Sequence, residues 1–284
     1  MDRITGNTVN LGGGRRGFRA RNLSLGQAGT IVTAAHLNAV QEELMAVIEA
    51  AGLTPSSADL DQLLQAILLI TPGRLVGVQV FTASGTYIPT PGAKIADVEV
   101  QAGGGGGGGA PAAGTGQISG GAPGSAGSYG WGRYPITGPV PVTIGAGGAG
   151  GVGANGSPGG ASSFGTLLTT IGGNAGAITS PTSIIPIVVS NVETQPGSGG
   201  LINAGGAAGQ PSLGLSTTAT QTYGGSGGNS RFGAGGGTIF GSVGSGRAGV
   251  GRGAGGSGTA NGQNNANQTG GAGSPGIVIV REYS

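Results

Sequence analysis

The chain has 284 residues, of which 70 are glycine and none is cysteine, and its formal net charge is +2. A cysteine-free chain has no disulfide framework and no thiolate metal site, and so small a charge argues against a nucleic-acid partner. The longest apolar run, LLQAILLI, is far too short to cross a bilayer, and the opening MDRITGNTVN lacks the apolar stretch of a signal peptide. A soluble protein made without a secretory signal is expected, with neither membrane insertion nor nucleic-acid binding.

Residues 1–32 read as an extended arm, in which GGGRRGFRAR sets Arg15, Arg16, Arg19 and Arg21 around a glycine turn. A basic run this short is more often a solvated or docking segment than a nucleic-acid patch. Residues 33–51 predict a helix capped by Thr33 and closed by Gly52. Its apolar residues Leu37, Val40, Leu44 and Val47 are spaced alternately three and four apart, a narrow seam suited to helix-on-helix packing. A second helix is predicted over 54–70, with Thr54 as cap, Pro55 in the first helical position, and Pro72-Gly73 as the stop. Leu60, Leu63, Ile67 and Ile70 repeat the seam. Two readings remain, a hairpin within one chain or a bundle of identical chains. The bundle is favoured, as a homotrimer, because neither helix is long enough to be stable alone.

Alternation and turn residues then predict strands within 74–89, 93–102, 139–147, 161–173 and 183–193, and over the terminal GIVIVREY at 276–283. A clean strand after so much glycine implies a return to the sheet that the chain leaves near Gly103.

Residues 1–100 hold 12 glycines and residues 101–284 hold 58. Glycine loses roughly 0.5–1 kcal/mol more than alanine on ordering, so a flexible linker is the default reading. Three features oppose it. Between 101 and 280 the only charged residues are Arg133, Glu193, Arg231, Arg247 and Arg252, whereas disordered segments are usually charged. Strand-like apolar pieces interrupt the segment. Its glycines also keep a register of three, at Gly121, Gly124, Gly127 and Gly130, at Gly147 through Gly159, and at Gly270, Gly273 and Gly276. A left-handed extended helix has three residues per turn, so such a register gives it a bare face on which backbones approach and bond. The phase breaks are too frequent for collagen. A bundle of short polyglycine II-type helices fits, with the seven glycines at 103–109 as its first strut.

Contacts must then come from larger side chains. Within SYGWGRY stand Tyr129, Trp131, Arg133 and Tyr134, residue types enriched at binding hot spots. The plainer reading is that Trp131 plugs the junction between sheet and glycine lattice. Arg231 and Phe232 are smaller candidates, and Asn264 and Asn265 lie in the polar NGQNNANQ, suited to sugar hydroxyls or simply to an exposed loop. An enzyme is not expected. His36 is the only histidine, so a Ser-His-Asp triad in the β region lacks its base. Glu193 and Glu282 are the only acids after residue 102, which leaves no paired carboxylates within that region. Nothing calls for a metal or cofactor.

VFTASGTY, VEVQAGGGGGGG, VTIGAGGAGG, GGASSFG and GSPGIVIVREY, in that order, resemble the glycine-rich domain of bacteriophage tail fibres and adhesins. DRITGNTVNLGGGRRGFRARN and AVIEAAGLTPSSADLDQLLQAI resemble the N-terminal region of tail-fibre proteins of phages of Gram-negative bacteria. The resemblance implies a virion protein, made in the host cytoplasm, with its N-terminus docked on tail or baseplate proteins through Arg15, Arg16, Arg19 and Arg21. Its far end would face a bacterial surface receptor, whether pilus, outer-membrane protein or glycan. The expected fold class is mixed. A tail-docking arm (1–32) leads into a helical oligomerisation stalk (33–73). The first strands of a β-sandwich (74–102) enclose a glycine-rich domain of packed polyglycine II helices (103–275), and a closing strand follows (276–284). The alternatives are a purely structural tail component carrying a separate adhesin, and a non-viral glycine-rich matrix protein.

Overall fold

The computed structural model describes residues 7–13, 15–71, 73–217, 221–241 and 244–284. The chain divides into two compact units, Met1–Arg74 and Leu75–Ser284. In the first, β1 (Thr8–Asn10) pairs antiparallel with β2 (Arg16–Phe18). The expected extended arm is thus a hairpin at this point, because Gly12 and Gly13 adopt positive φ and turn the chain. Helix α1 (Ala34–Ala50) is capped as expected. The Thr33 side chain accepts from the His36 N–H, and Gly52 is left-handed. Phe18 meets His36 edge-on, with ring centroids 5.6 Å apart.

Helix α2 (Gln62–Ile70) is shorter than the predicted 54–70. Side chains capture the backbone of the intended first turns: Ser56 N–H donates to Gln62 Oε1, and Gln62 Nε2 donates to Thr54 O. Local bonds of this kind compete with helix. Pro72, the expected stop, lies outside the described residues. The two helices pack on each other with Ile48 and Ala66 buried. Val40, Val47 and Leu63 are half-buried, whereas Leu37, Leu44, Ile67 and Ile70 are exposed and Leu60 almost wholly so.

The second unit is built from short antiparallel sheets. Its strands are β3 (Leu75–Phe81), β4 (Gly85–Tyr87), β5 (Ile95–Gln101), β6 (Ile118–Gly121), β7 (Tyr129–Pro135), β8 (Val140–Thr143), β9 (Ser162–Phe164) and β10 (Leu168–Thr170). They continue with β11 (Ile178–Thr182), β12 (Ile187–Val189), β13 (Ile202–Ala204), β14 (Ser212–Gly214), β15 (Thr222–Gly224) and β16 (Phe232–Ala234). The last four are β17 (Ile239–Phe240), β18 (Val250–Arg252), β19 (Thr259–Asn261) and β20 (Ile277–Tyr283). The largest sheet has the order β13-β7-β5-β20-β3. The terminal strand therefore returns beside the strand from which the glycines depart, with Ile277 opposite Gln101 and Tyr283 opposite Ile95. A second sheet, β10-β9-β8-β4, shares an apolar core with it, made by Tyr87, Ala96, Val98, Val100, Val142, Phe164, Leu168, Val278 and Val280. The period-two alternation of β5 and β20 points Ala96, Val98, Val100, Val278 and Val280 inward.

One carboxylate closes this core. Glu282 is fully buried and accepts from Tyr87 Oη (2.7 Å), Thr90 N–H (2.8 Å) and Thr90 Oγ1 (2.6 Å). Burial alone pushes its pKa up, but these donors outweigh burial and hold it below the ordinary carboxylate range.

Between the sheets and the far loops, order comes from main chain. The N–H groups of residues 103–109 donate in a cycle of three. Gly103, Gly106 and Gly109 donate to Gly160, Ser157 and Ala154; Gly104 and Gly107 to Ser274 and Gly271; Gly105 and Gly108 to Ser125 and Ala122. Partner numbers fall as donor numbers rise, so these three neighbours run antiparallel. The carbonyls of the same segment accept in a second cycle, from Gly173 and Gly176, from Gly148 and Gly151, and from Gly256. Where two bonds fix the direction, those neighbours run parallel. The seven-glycine run is thus enclosed by six segments, and a Cβ on any of its residues collides with backbone, as at Gly108 with Ala177 O at 2.8 Å. The outer segments carry bare positions where they press on the central run or on one another, as Gly147 and Gly150 do against Gly273 and Gly270. Gly121, Gly124 and Gly127 face Gly108, Gly105 and Ala102, while Gly270 and Gly273 face Gly107 and Gly104. That is the register of three that the sequence carries.

Candidate functional site

The strand pairing sorts the expected contact residues into two places. The first is the outer face of the five-stranded sheet. YGWGRY lies within β7 as a strand, because Gly130 and Gly132 fit under Leu168 and the Tyr134 ring on its core side. Tyr129, Trp131 and Arg133 point outward, opposite Gln101, Glu99 and Asp97 of β5. Tyr134 points the other way, and its hydroxyl donates to Gly199 O at 2.9 Å.

Glu99 is the hub of the outer face. It is buried and accepts from Arg281 Nη1 (2.6 Å), Tyr129 Oη (2.8 Å) and Arg231 Nε (3.0 Å). Burial raises its pKa, yet the two guanidiniums and the phenol together hold it below the ordinary value. Burial and the adjacent Glu99 push the Tyr129 phenol up to about 12. The Arg231 guanidinium lies 4.9 Å from the centroid of the Tyr129 ring and 5.7 Å from that of Phe232. Beside them Arg133 grips Asp97 in a bidentate pair, Nε to Oδ1 at 2.6 Å and Nη2 to Oδ2 at 2.8 Å. Tyr129, Arg133, Arg231 and Phe232 are therefore brought together, and each is engaged in holding the sheet's outer face. Trp131 is half-buried on the same strand.

Sequence reading passed over Asp97, Glu99, Gln101 and Arg281. The signal was present, since in IADVEVQ the polar residues alternate with the apolar core set and must share the opposite face.

The second place is the far end of the glycine lattice. At roughly 3 Å per residue for extended backbone, residues 103–109 carry the chain roughly 20 Å from the sheet. There the 111–117 and 261–268 segments clasp each other. Ala112 N–H donates to Asn267 Oδ1 (2.7 Å), Thr115 Oγ1 to Asn264 Oδ1 (2.9 Å) and Gly116 N–H to Gln263 Oε1 (2.8 Å). Asn264 is exposed with φ +60°, a left-handed conformation that asparagine tolerates better than most residues. Asn265 is half-buried and bridges Ala113. Neither 103–128 nor 253–275 contains a charged residue, so this apex presents amides and hydroxyls.

In the first unit Arg15, Arg16 and Arg21 are exposed, while Arg19 donates Nε and Nη2 to Ala28 O at 3.0 and 2.7 Å. Among the described residues no group of three His, Cys, Asp or Glu side chains is placed to hold a metal ion, and no helix is long and apolar enough to cross a membrane.

No match to the chain is found among curated proteins. Residues 82–283 match the family model described as a glycine-rich domain, a span that starts beside β3 and ends on the last residue of β20. Most of the second unit, sheets and main-chain lattice alike, falls inside that span, and the chain belongs to the glycine-rich domain family.

Proposed function

We propose that this chain is a bacteriophage tail-fibre or tail-tip protein, not an enzyme. In this reading it docks on other tail or baseplate proteins through Arg15, Arg16, Arg19 and Arg21 and trimerises through its helical segment. It contacts a bacterial surface receptor through loops of its glycine-rich domain. The period-three bonding supports reading that domain as packed polyglycine II helices set into a β-sandwich. The observation that carries the proposal is the enclosure of residues 103–109 by six hydrogen-bonded segments. A lattice of bare main chain is rigid and chemically mute, so it suits a strut that holds recognition loops away from an anchoring sheet. The apex amides at 263–267 suit such a role, because each can both donate and accept. The exposed apolar residues of α2 support self-association.

The test has two arms. Immunogold electron microscopy of purified particles asks whether the chain lies at the tail tip. Particles whose chain carries Gly-Ser in place of residues 263–267 are then assayed for adsorption. Tip labelling with lost adsorption supports the proposal. Normal adsorption transfers receptor contact to a separate adhesin, and absence from particles removes the tail reading altogether.

A further inference from the structure

A depression of about 390 Å³ opens beside the outer face of the five-stranded sheet, between the 204–207 segment and residues 229–231, with Tyr129 and Gln101 in its lining. Its size falls within the range of small-ligand pockets, about 300–1,000 Å³. It lies at the sheet end of the lattice, away from the apex, and its case is independent of the tail reading.

Four features define its chemistry. The first is unbalanced charge. Arg231 and Arg281 share the single carboxylate of Glu99, and Asp97 is taken by Arg133, so the cluster keeps one positive charge. Arg231 commits Nε to Glu99 while its side chain remains half exposed. The second is a locked amide. Asn229 Oδ1 accepts from the Gly235 N–H at 2.8 Å, so the exposed side chain turns its Nδ2 donor outward. The third is a fixed floor. Gln101 is only 1% exposed and its Nε2 donates to Gly127 O at 2.7 Å and Ser128 O at 3.2 Å, which fixes the orientation of the carboxamide. Its Oε1 is fully enclosed, so the side chain closes the depression from below without offering an acceptor to a ligand. The fourth is the Tyr129 ring, an apolar surface among polar groups.

One positive charge, one amide donor and one aromatic ring over a closed floor together complement a carboxylated sugar. We infer that this depression binds an acidic saccharide. The sugar carboxylate meets Arg231, its hydroxyls meet Asn229, and its C–H surface lies against Tyr129. A neutral sugar leaves the guanidinium unused, and a bare inorganic anion leaves the ring unused.

The test is calorimetric titration of the full-length protein with glucuronate, galacturonate, sialate and 3-deoxy-octulosonate oligosaccharides, alongside glucose oligomers and inorganic phosphate. Saturable binding of at least one acidic sugar, with no binding of glucose oligomers or phosphate, is expected. Asn229→Asp keeps the acceptor for Gly235 and replaces the donor with a negative charge, so affinity should fall at least about tenfold. Ala207→Trp fills the depression from an exposed position and should abolish binding with an unchanged melting temperature. Failure of every acidic sugar to bind overturns the inference. So does equal binding of glucose oligomers or phosphate, or undiminished binding by a folded Ala207→Trp protein.

Discussion

Replacing Gly106 by alanine tests the glycine lattice at its centre. The added methyl sits inside van der Waals distance of the Ala149 carbonyl and 2.9 Å from Gly148 O, both main-chain groups that no rotamer change can move. Relief requires the 148–151 segment to retreat by roughly 1 Å, since carbon and oxygen pack comfortably only beyond about 3 Å. That segment donates to the central one through Gly148 N–H to Gly104 O at 2.9 Å and Gly151 N–H to Gly107 O at 3.0 Å. Both bonds then exceed normal length, and each leaves buried groups unpaired at about 1–3 kcal/mol. The expected loss is roughly 2–6 kcal/mol, or on the order of 5–20 °C in melting temperature for a unit of this size. Gly237→Ala is the control. It is exposed, lacks positive φ, and a Cβ there meets only the Arg247 side chain at 3.5 Å or more. It should be neutral, or stabilising by about 0.4–1 kcal/mol through the unfolded chain. Thermal and urea denaturation of the two variants separates the cases. Equal melting temperatures would refute close main-chain packing as the source of order.

Further expectations concern the charges, the apex and the helices. Glu99 and Glu282 are both held below their ordinary value of 4.5 in the folded chain. Their contribution is therefore complete above that value and is lost as pH falls through the lower folded values. Urea midpoints should drop on acidification below about pH 4.5, and Glu282→Gln should flatten that drop while lowering the neutral-pH midpoint. An unchanged acid slope in the variant rules out Glu282 as a contributor. Asn264→Val places a β-branched residue at φ +60° and should cost about 1–2 kcal/mol, with Asn264→Gly close to wild type by the same denaturation assay. Ile67→Asp, on the exposed side of α2, should convert a trimer to monomers in analytical ultracentrifugation. A wild-type chain that sediments as a monomer removes the bundle.

What the sequence revealed follows from how local each signal is. The Thr33 cap, the Gly52 stop and the return of GIVIVREY to the sheet are set by nearby residues or by alternation, and each is present in the fold. The start of α2 misled because Thr54-Pro55 has the form of a helix entry while the Gln62 side chain occupies the backbone groups needed for one. The register of three glycines pointed to a bare face. Which faces meet, and that 103–109 is the enclosed segment, depends on six sequence-distant partners. SYGWGRY was composition without context. Its tyrosine and arginine meet Glu99 and Asp97 only through the β5–β7 register, and Arg231 reaches Glu99 across 132 positions in the chain.

The central claim is that main-chain hydrogen bonds make a solid of a region nearly without bulky side chains. Native-state amide exchange across residues 103–128 tests it most directly. The account predicts that the Gly103 to Gly109 amides exchange as slowly as those of β5 and β20, since every one of them donates to a carbonyl of a neighbouring segment. Exchange there at the rate of an unstructured peptide, with β5 and β20 still protected, would contradict it.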